Sequence, residues 1–320
     1  MVYDIIGDLH GQAGKLEALL RKMGYRETSG GWRHPGRQAV FVGDFIDRGP
    51  HQLHTLSIVR KMVDSGAALA VMGNHELNAI AWHTPHPEKE GEYLRNRYNE
   101  KGEKNRRQHA RFLEEVEHVP HVHGEIVEWF YSLPLWLDLP GLRVVHACWH
   151  DECIDYLKPY LSEGNRLSKS LILEATRPLK DETGRPLAGP SLYQAVNTLL
   201  RGPDVDLPYD LFFVDKDGTE RRKLRIRWWD ERSNTYAALG ILPGHVNVLL
   251  PDEPIQEHAC PVIPGDKAIF FGHYWMKGAP QLQGRHMACV DYSAGRGGPL
   301  MAYRWEGELI LRTSNFVSVG

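Results

Sequence analysis

Acidic, histidine and asparagine side chains recur in three short glycine-containing motifs near the amino terminus. They are Gly-Asp-Leu-His-Gly at residues 7–11, Gly-Asp-Phe-Ile-Asp-Arg-Gly at 43–49 and Gly-Asn-His-Glu at 73–76. Carboxylate, amide and imidazole groups, with no thiolate among them, are ligands that suit a pair of divalent or trivalent transition metals. These residue types therefore predict a metal site.

The elements around the motifs predict where that site lies. Each motif follows an apolar run typical of a buried strand, at residues 2–6, 39–42 and 67–72, and precedes residues at helical spacing. Open α/β sheets hold their ligands at the carboxyl ends of the strands, so we expect an α/β fold with the motifs at one sheet edge. Two later apolar runs end in His146 and His273.

The spacing of the donors allows two ions to be held side by side. Asp8 and His10 are two residues apart in a tight turn, so both can face one ion. Asp44 has two carboxylate oxygens and can bridge that ion to a second, as a site with metals about 3.5–4 Å apart requires. The remaining candidate ligands face the second ion: Asn74, His146 and His273.

The neighbouring residues predict phosphoryl chemistry. Two cations would lower the pKa of a bridging water and so produce a hydroxide nucleophile. Arg48 has a planar fork that can hold two phosphate oxygens. His75 is the candidate general acid, and Asp47 would fix its second ring nitrogen. Glu76, at a helix start, has a supporting role only. The sequence predicts a metal-dependent phosphoester hydrolase.

The composition is that of an ordinary globular chain, with 25% charged and 42% hydrophobic residues among 320. A formal charge of −3 does not favour a nucleic-acid or membrane surface, and no run reaches the roughly 18 apolar residues of a spanning helix. The first strand begins at about Val2 and leads directly into the metal motif, so we expect no cleaved targeting segment. Without a Cys-x-x-Cys pair, the cysteines predict reduced thiols in a cytoplasmic protein.

We expect a single domain over residues 1–320, with mainly helical insertions at about 84–123 and 151–222 that could form a cap. The first insertion is strongly charged and predicts one or two helices lying over the sheet. Between the insertions, the aromatic and apolar residues from Trp129 onward predict a return to the α/β pattern.

The second insertion predicts helices near residues 166–176 and 193–200, separated by a Pro/Gly-rich break at 178–190. Its end predicts a hairpin turn at 216–219, between the apolar runs 211–214 and 224–228.

With the three motifs in this order, the chain resembles the calcineurin-like metallophosphoesterases. Within them it resembles the phosphoprotein phosphatase branch, which includes serine/threonine protein phosphatases and symmetrical diadenosine tetraphosphate hydrolases. The resemblance is specific over residues 1–83 and local around the two late histidines. It implies a sandwich of two mixed β-sheets flanked by helices, with the metals at one edge.

The resemblance also implies the roles of the site residues. One ion would be held by Asp8, His10 and Asp44, and the other by Asp44, Asn74, His146 and His273. The ions are expected to be manganese first, with iron or zinc as alternatives. Hydrolysis would proceed by in-line attack of metal-bound hydroxide, with His75 as the acid.

Family members usually carry a second phosphate-binding arginine between the two late histidines. Arg232 is the first candidate here and Arg227 the second, although either could be a surface or ion-paired arginine.

The residues that follow the late histidines favour a small substrate. Protein phosphatases of this branch usually have Gly-Gly after the first late histidine, where this chain has Ala-Cys-Trp-His. We expect the pocket rim to be crowded by Trp149, His150, Tyr274 and Trp275. Aromatic surfaces for bases are expected from Trp149, Trp228, Trp229 and Trp275. These predict a phosphorylated small molecule or a nucleotide as substrate, with a phosphoprotein as the alternative.

Two further functions are less well supported. A nucleic-acid phosphodiesterase would require a basic surface, and the basic run at 220–227 is more simply one face of a hairpin strand. A non-catalytic scaffold would predict a lost ligand, and none is lost. The histidines between His83 and His123 could suggest another metal site, but no carboxylates accompany them at a defined spacing.

Overall fold

The computed structural model describes residues 2–178, 190–215, 218–255 and 261–320. Its strands are β1 (Tyr3–Ile6), β2 (Arg26–Thr28), β3 (Gly31–Arg33), β4 (Gln38–Phe41), β5 (Ala68–Ala70), β6 (Trp136–Leu139), β7 (Leu142–Val145), β8 (Asp204–Asp206), β9 (Phe213–Val214), β10 (Glu220–Arg221), β11 (Lys223–Ile226), β12 (Gly240–Ile241), β13 (Ala268–Phe271), β14 (Met287–Cys289), β15 (Leu300–Trp305) and β16 (Phe316–Val319). Its α-helices are α1 (Ala13–Met23), α2 (Gln52–Asp64), α3 (Asn74–His83), α4 (Asn99–Val116), α5 (Pro120–Tyr131), α6 (Asp151–Leu157), α7 (Ile172–Thr176), α8 (Leu192–Arg201) and α9 (Tyr236–Leu239).

Two mixed sheets form the centre of the molecule. The larger has the order β16-β15-β1-β4-β5, in which β1, β4 and β5 are parallel and the other two antiparallel to their neighbours. The smaller has the order β14-β13-β7-β6, in which only β6 runs antiparallel to its neighbour. The predicted α/β class with mixed sheets is confirmed.

Side chains alternate along these strands between two cores. Ile5 of β1 belongs to a buried cluster that also contains Val144 of β7 and Phe270 of β13, so this core lies between the two sheets. Ile6 points the other way, into a cluster that includes Leu16 of α1 and other helical residues. The two sheets therefore pack face to face with helices outside, as the predicted sandwich requires.

The first insertion contains α4, whose buried face is spaced as an amphipathic helix requires. His109, Phe112, Leu113 and Val116 recur at intervals of three and four and are buried. Glu115 on the same helix accepts hydrogen bonds from the backbone N–H groups of Gln52 (2.7 Å) and Leu53 (2.9 Å). Because the first amides of a helix have no partner within it, α4 closes the amino end of α2.

The return to strand after residue 123 was predicted too early. Helix α5 extends to Tyr131 and includes Trp129 and Phe130. Ile126, Val127 and Phe130 lie buried on one side of it, at helical spacing. The aromatic residues favoured a strand by propensity, whereas their packing selects a helix.

The second insertion contains the two predicted helical segments. One is a 3-10 turn at Lys169–Leu171 that continues into α7, and the other is α8. Most of the predicted break, residues 179–189, lies outside the described residues. Residues 216 and 217 of the predicted hairpin turn lie outside the described residues. β9 pairs with the short β10 and not with β11, which pairs with β8 and β12. The division into one domain with two insertions stays a prediction.

In the described part of the chain, no helix combines the length and the apolar character needed to cross a membrane.

Candidate active site

The loops that carry the first two motifs are joined by backbone hydrogen bonds. β1 and β4 are parallel neighbours, so their carboxyl ends meet at one edge of the sheet. Beyond that edge, His10 N donates to Asp44 O (2.8 Å) and Gly11 N donates to Phe45 O (2.7 Å). The two loops are thus fixed against each other and bring Asp8, His10 and Asp44 together.

Glu76 ties the third motif to the second. Its buried carboxylate accepts from the backbone N–H groups of Asp44 (2.8 Å), Phe45 (2.8 Å) and Gly73 (2.9 Å). A single side chain therefore satisfies the amides of two loops that both supply site residues. This role is larger than the support at a helix start that the sequence predicted.

The site loops adopt backbone conformations that are rare for residues with side chains. The φ angles of His10, Asp44, Asp47 and His273 are 48°, 53°, 90° and 71°. Such left-handed conformations cost of order 1–3 kcal/mol each and persist only where the surroundings fix them. Gly272 is required for another reason: a Cβ there would lie 2.0 Å from Asp8 Oδ1.

Two groups of donor atoms share Asp44. His10, Asp44 and His75 form one group and Asp44, His146 and His273 the other, and in each the ligand atoms lie within 4.8 Å of one another. Asn74 Oδ1 lies 3.2 Å from His146 Nε2, and Asp8 Oδ2 accepts from the backbone N–H of His273 at 3.1 Å. Four predicted ligands, His10, Asp44, His146 and His273, therefore lie in the two groups, with Asn74 beside His146 and Asp8 beside the backbone of His273.

The hydrogen bonds of His10 and His146 orient these rings so that the donor set can bind cations. Nδ1 of His10 bonds to Ile46 O and Nδ1 of His146 bonds to Val42 O, both at 2.7 Å. A carbonyl only accepts, so each Nδ1 carries a proton and each Nε2 faces the donor cluster. Burial lowers the pKa of His10 to about 4, so its neutral ring offers an Nε2 lone pair. His10 Nε2 is buried with no hydrogen-bond partner among the described residues, and Asp44 Oδ2 lies 3.8 Å from it. His146 Nε2 faces two other acceptors, Asn74 Oδ1 (3.2 Å) and Asp44 Oδ1 (3.4 Å), an arrangement that a cation stabilises.

The charges of the site also indicate that it binds cations. Burial, followed by the charges of Asp291 and Asp44, raises the pKa of Asp8 well above its ordinary value. Burial and the charge of Asp44 raise the pKa of Glu76 to about 7. Burial opposes ionisation of Asp44 as well, but the imidazoles of His146 and His75 hold its pKa well below the ordinary range. Buried carboxylates that repel one another favour bound cations.

His75 lies at the edge of the donor cluster with Asp47 behind it. His75 Nδ1 is 2.5 Å from Asp47 Oδ2, and the second oxygen of Asp47 is 2.5 Å from Nδ1 of His109, a residue of α4. Burial alone would lower the pKa of His75, yet the carboxylates of Asp44 and Asp47 raise it. The arrangement can hold a proton on His75.

A cavity of about 220 Å³ opens beside these residues. Its lining is polar and includes four arginines, Arg48, Arg95, Arg201 and Arg225. Arg225 Nη1 donates to His273 Nε2 at 2.7 Å, and the guanidinium of Arg48 lies 5.7 Å from the ring centre of Trp275. Because arginine only donates, His273 must accept, which keeps its ring neutral. Burial, together with the charge of Arg225, lowers the pKa of His273 well below its ordinary value.

The calcineurin-like phosphoesterase family model matches residues 1–207, which is more than half of the 320-residue chain. The chain belongs to the calcineurin-like phosphoesterase family. The family resemblance predicted from the three motifs is thereby confirmed.

Individual relatives match a shorter part. An asymmetrical bis(5'-nucleosyl)-tetraphosphatase, PrpE, from Halalkalibacterium halodurans is 47% identical over 76 residues, which are 23% of this chain and 31% of that protein. The protein of the same description from Bacillus cereus is 46% identical over 77 residues, again 23% and 31%. A structure of a protein serine/threonine phosphatase from Saccharomyces cerevisiae has a TM-score of 0.48 and 14% identity, covering 100% of this chain and 79% of that one. The chain thus spans about a third of the length of the curated relatives it matches.

The two sequence-predicted arginines do not reach the cavity of this calcineurin-like phosphoesterase. The Arg232 side chain is 90% exposed and pairs with its neighbour Asp230 at 3.0 Å. Arg227 donates to the backbone oxygen of Ala238 and is absent from the cavity lining. Arg225 lines the cavity instead. It lies on β11, which ends at Ile226, so the alternation of side chains along a strand does not extend to Arg227.

The expected aromatic rim is also largely absent. Trp149, Trp228 and Trp229 are buried in the core, and the indole of Trp149 lies under Arg143. Tyr274 packs on Trp229, and Trp275 contacts Arg48. The prediction of aromatic surfaces for bases was therefore wrong for the three buried tryptophans, because their large apolar area is worth more in the core.

Sequence reasoning missed four titratable residues of the cavity lining, Arg95, His109, Arg201 and Arg225, besides the amides Asn78 and Gln108. The first two lie in the first insertion and Arg201 ends α8, where an arginine ordinarily indicates favourable contact with the helix dipole. Arg225 lies in the basic run that was interpreted as a solvated face. The histidines from His83 to His123 form no third metal-ligand group in the described ranges, and His83 and His123 pack together instead.

Proposed function

We propose that this chain is a metal-dependent phosphoester hydrolase with a dinuclear centre bridged by Asp44. The observation that carries the proposal is that Asp44 belongs to two separate donor groups, one on each side. A bridging carboxylate between two clusters of imidazole and oxygen donors suits two transition-metal ions. Membership of the calcineurin-like phosphoesterase family supports it independently.

Asp8, His10 and Asp44 would hold one ion. The second ion would be held by a larger set: Asp44, Asn74, His146 and His273. Manganese is the first expectation for both positions, with iron or zinc as alternatives, since imidazole and carboxylate donors accept all three. Bound ions supply Lewis acidity, which polarises a phosphoryl oxygen and lowers the pKa of a bound water.

Arg48 and Arg225 would orient the phosphoryl group. Both line the cavity beside the donor groups, and Arg48 Nε is buried without a partner among the described residues. A planar guanidinium can donate two parallel hydrogen bonds to phosphate oxygens. Arg48 would supply such a fork. Arg225, whose Nε pairs with Asp204 Oδ1 (3.2 Å) and whose Nη1 donates to His273, would add positive charge beside the phosphorus.

His75 would donate a proton to the leaving oxygen. Its pKa is raised by the carboxylates of Asp44 and Asp47 against the effect of burial, which favours the protonated ring. Asp47 accepts from Nδ1 and so turns the opposite ring nitrogen toward the cavity. General acids of this kind contribute typically about 10²–10⁴-fold to the rate.

The proposed substrate is a phosphomonoester or a dinucleoside polyphosphate. The names of the PrpE relatives support the second choice, and the small polar cavity supports a substrate recognised by its phosphates. A cytoplasmic location is consistent with the free thiols of Cys153 and Cys289.

The test is hydrolysis of a substrate panel by metal-free protein reconstituted with manganese. The panel contains p-nitrophenyl phosphate, its bis ester, diadenosine tetraphosphate, a phosphothreonine peptide and RNA. We expect manganese-dependent turnover of the monoester or the dinucleotide, reduced at least about 100-fold in Asn74→Ala. Asn234→Ala, at an exposed position, is the matched control. Turnover that is independent of metal, or unchanged in Asn74→Ala, would contradict the proposal.

A further inference from the structure

A second, larger cavity of about 880 Å³ adjoins the catalytic cavity. Its walls come from α4 and the preceding segment on one side and from α7 and α8 on the other. The two cavities share four lining residues, Asn78, Arg95, Gln108 and Arg201. These four residues therefore stand at the passage between them.

Two of the four are arginines without an acidic partner. Within the described part of the chain, no carboxylate lies within ion-pair distance of Arg95 or Arg201. Instead Arg95 Nη2 donates to the neutral amide of Gln108 (2.9 Å), and Arg201 Nη2 donates to that of Asn78 (2.8 Å). The Nε atoms of both arginines are buried and have no hydrogen-bond partner among the described residues.

This arrangement is costly for a protein without a ligand. Burial, and after it the charge of Arg201, lowers the pKa of Arg95 to about 10. Burial also lowers the pKa of Arg201, and the charge of Arg225 adds to the effect. Both arginines are partly buried, and their buried Nε donors and the absence of a described acidic partner fit an anion bound between them.

The position of the pair relative to the proposed acid defines which part of a substrate it meets. Arg95 lies close enough to Asp47 for its charge to be influenced by that carboxylate, and both arginines line the cavity together with His75 and His109. The oxygen that receives a proton from His75 is the one that leaves. Arg95 and Arg201 also line the second cavity, whereas Arg48 and Arg225 line only the first, so we place the leaving group on the side of the arginine pair.

We infer that Arg95 and Arg201 bind a second phosphate of the substrate, so that the leaving group is itself a phosphate. The inference rests on the proposed hydrolase activity and makes the substrate class a phosphoanhydride. Water would add to the phosphorus held by Arg48 and Arg225, and the bond from that phosphorus to the bridging oxygen would break. The bridging oxygen would leave with the second phosphate and take its proton from His75.

The larger cavity would hold whatever follows the second phosphate. Its lining offers the phenol ring of Tyr193, the amides of Asn105 and Asn197, and the lysine Lys101. A further phosphate or a nucleoside can contact such a surface, and both carry the same anionic group at the passage. Comparing inorganic tripolyphosphate with diadenosine tetraphosphate distinguishes a further phosphate from a nucleoside in this cavity.

The first experiment compares kcat/KM for three substrates in manganese-loaded protein: p-nitrophenyl phosphate, inorganic tripolyphosphate and diadenosine tetraphosphate. In Arg95→Gln and Arg201→Gln we expect the loss on a phosphoanhydride to exceed the loss on p-nitrophenyl phosphate by about 10- to 100-fold. Arg201→Lys, which keeps the charge but not the fork, should lie between. The matched control is Arg111→Gln, an exposed arginine on α4 paired with Glu114, which should change neither activity. Equal losses on all substrates, or none, would overturn the inference.

The second experiment requires no catalysis. Metal-free protein is titrated with inorganic tripolyphosphate by calorimetry, at low and high salt, with sulfate as the comparison anion. We expect tripolyphosphate to bind at least about tenfold more tightly than sulfate, and the preference to be lost in Arg95→Gln and Arg201→Gln. Thermal unfolding of each variant verifies that it is folded.

The two experiments separate the two proposals. Arginine-dependent binding without any turnover would support the anion site and contradict the hydrolase. Turnover of p-nitrophenyl phosphate without arginine-dependent binding or phosphoanhydride preference would support the hydrolase and overturn the anion site.

Discussion

Asp47 lies between two imidazole rings, with Oδ2 2.5 Å from His75 Nδ1 and Oδ1 2.5 Å from His109 Nδ1. His75 follows a strand of the central sheet, whereas His109 is 62 residues from Asp47, on helix α4 of the first insertion. Both carboxylate oxygens are therefore engaged, and the orientation of the proposed acid depends on a residue outside the three motifs. We infer that His109 is a positioning residue that acts through Asp47.

Replacing His109 should lower the stability of the protein and also change its relative activity on substrates with different leaving groups. His109→Leu leaves Asp47 Oδ1 buried without its donor, and we expect the free energy of unfolding to fall by about 1–3 kcal/mol in urea titrations. Activity on phenyl phosphate should fall more than on p-nitrophenyl phosphate, because p-nitrophenolate leaves without protonation. His109→Gln keeps an N–H donor and should recover part of both effects.

The exposed His118 provides the control for this substitution. His118→Leu should change neither stability nor the ratio of the two activities. If His109→Leu reduced both activities by the same factor, His109 would have only a structural role.

The Asp47 pair should also make stability depend on pH in metal-free protein. Burial would raise the pKa of Asp47, but the imidazoles of His109 and His75 outweigh it and lower the pKa. This stabilisation is complete above the unfolded value of about 3.9 and is lost as pH falls toward the folded pKa. The pKa of His75 is raised, so its contribution is complete below about 6.5 and is lost as pH rises through the folded value.

Asp47→Asn removes both contributions. The difference in unfolding free energy between the unmodified protein and this variant should therefore be largest between about pH 3.9 and 6.5 and smaller on either side. Urea unfolding in the presence of a chelator, repeated across pH, measures it. A difference that grew steadily toward alkaline pH would show that His75 does not gain its proton affinity from Asp47.

The accuracy of the sequence predictions depended on how local each signal was. The candidate ligands could be found because they lie in the loops that follow strands, and the carboxyl ends of parallel neighbours such as β1 and β4 meet at one edge of a sheet. His109 and Arg201 could not be found this way, since helices α4 and α8 are placed by long-range packing that spacing does not encode. The assignment of Arg232 to the phosphate site went wrong for a related reason. Which side chains of residues 223–241 face the cavity depends on how β11 pairs with β8 and β12, and the sequence alone does not give that pairing.

The corrected arginine assignment predicts opposite outcomes for two nearby substitutions. Arg225 lines the cavity and contacts His273, so Arg225→Gln should lower kcat/KM on p-nitrophenyl phosphate by about 10- to 100-fold. Arg232→Gln removes an exposed ion pair and should change it by less than about twofold. Steady-state kinetics on the pair decides the assignment, and similar losses in both variants would contradict it.

The position of Asp44 predicts a specific pattern of metal loss. Because Asp44 belongs to both donor groups, Asp44→Asn should remove both ions, whereas His10→Ala and His146→Ala should each remove one. The side-chain oxygen of asparagine can still accept the hydrogen bond that His75 N donates to Asp44 Oδ1 at 3.0 Å. The loss of metal in Asp44→Asn would therefore come from the missing carboxylate charge and not from a rearranged loop. Mass spectrometry of manganese-loaded, desalted protein should give about two ions per chain for the unmodified protein and for Asp266→Asn, an exposed control. A single ion retained in Asp44→Asn would mean that Asp44 serves only one group, and the loss of both ions in His10→Ala would mean that the two positions do not bind independently.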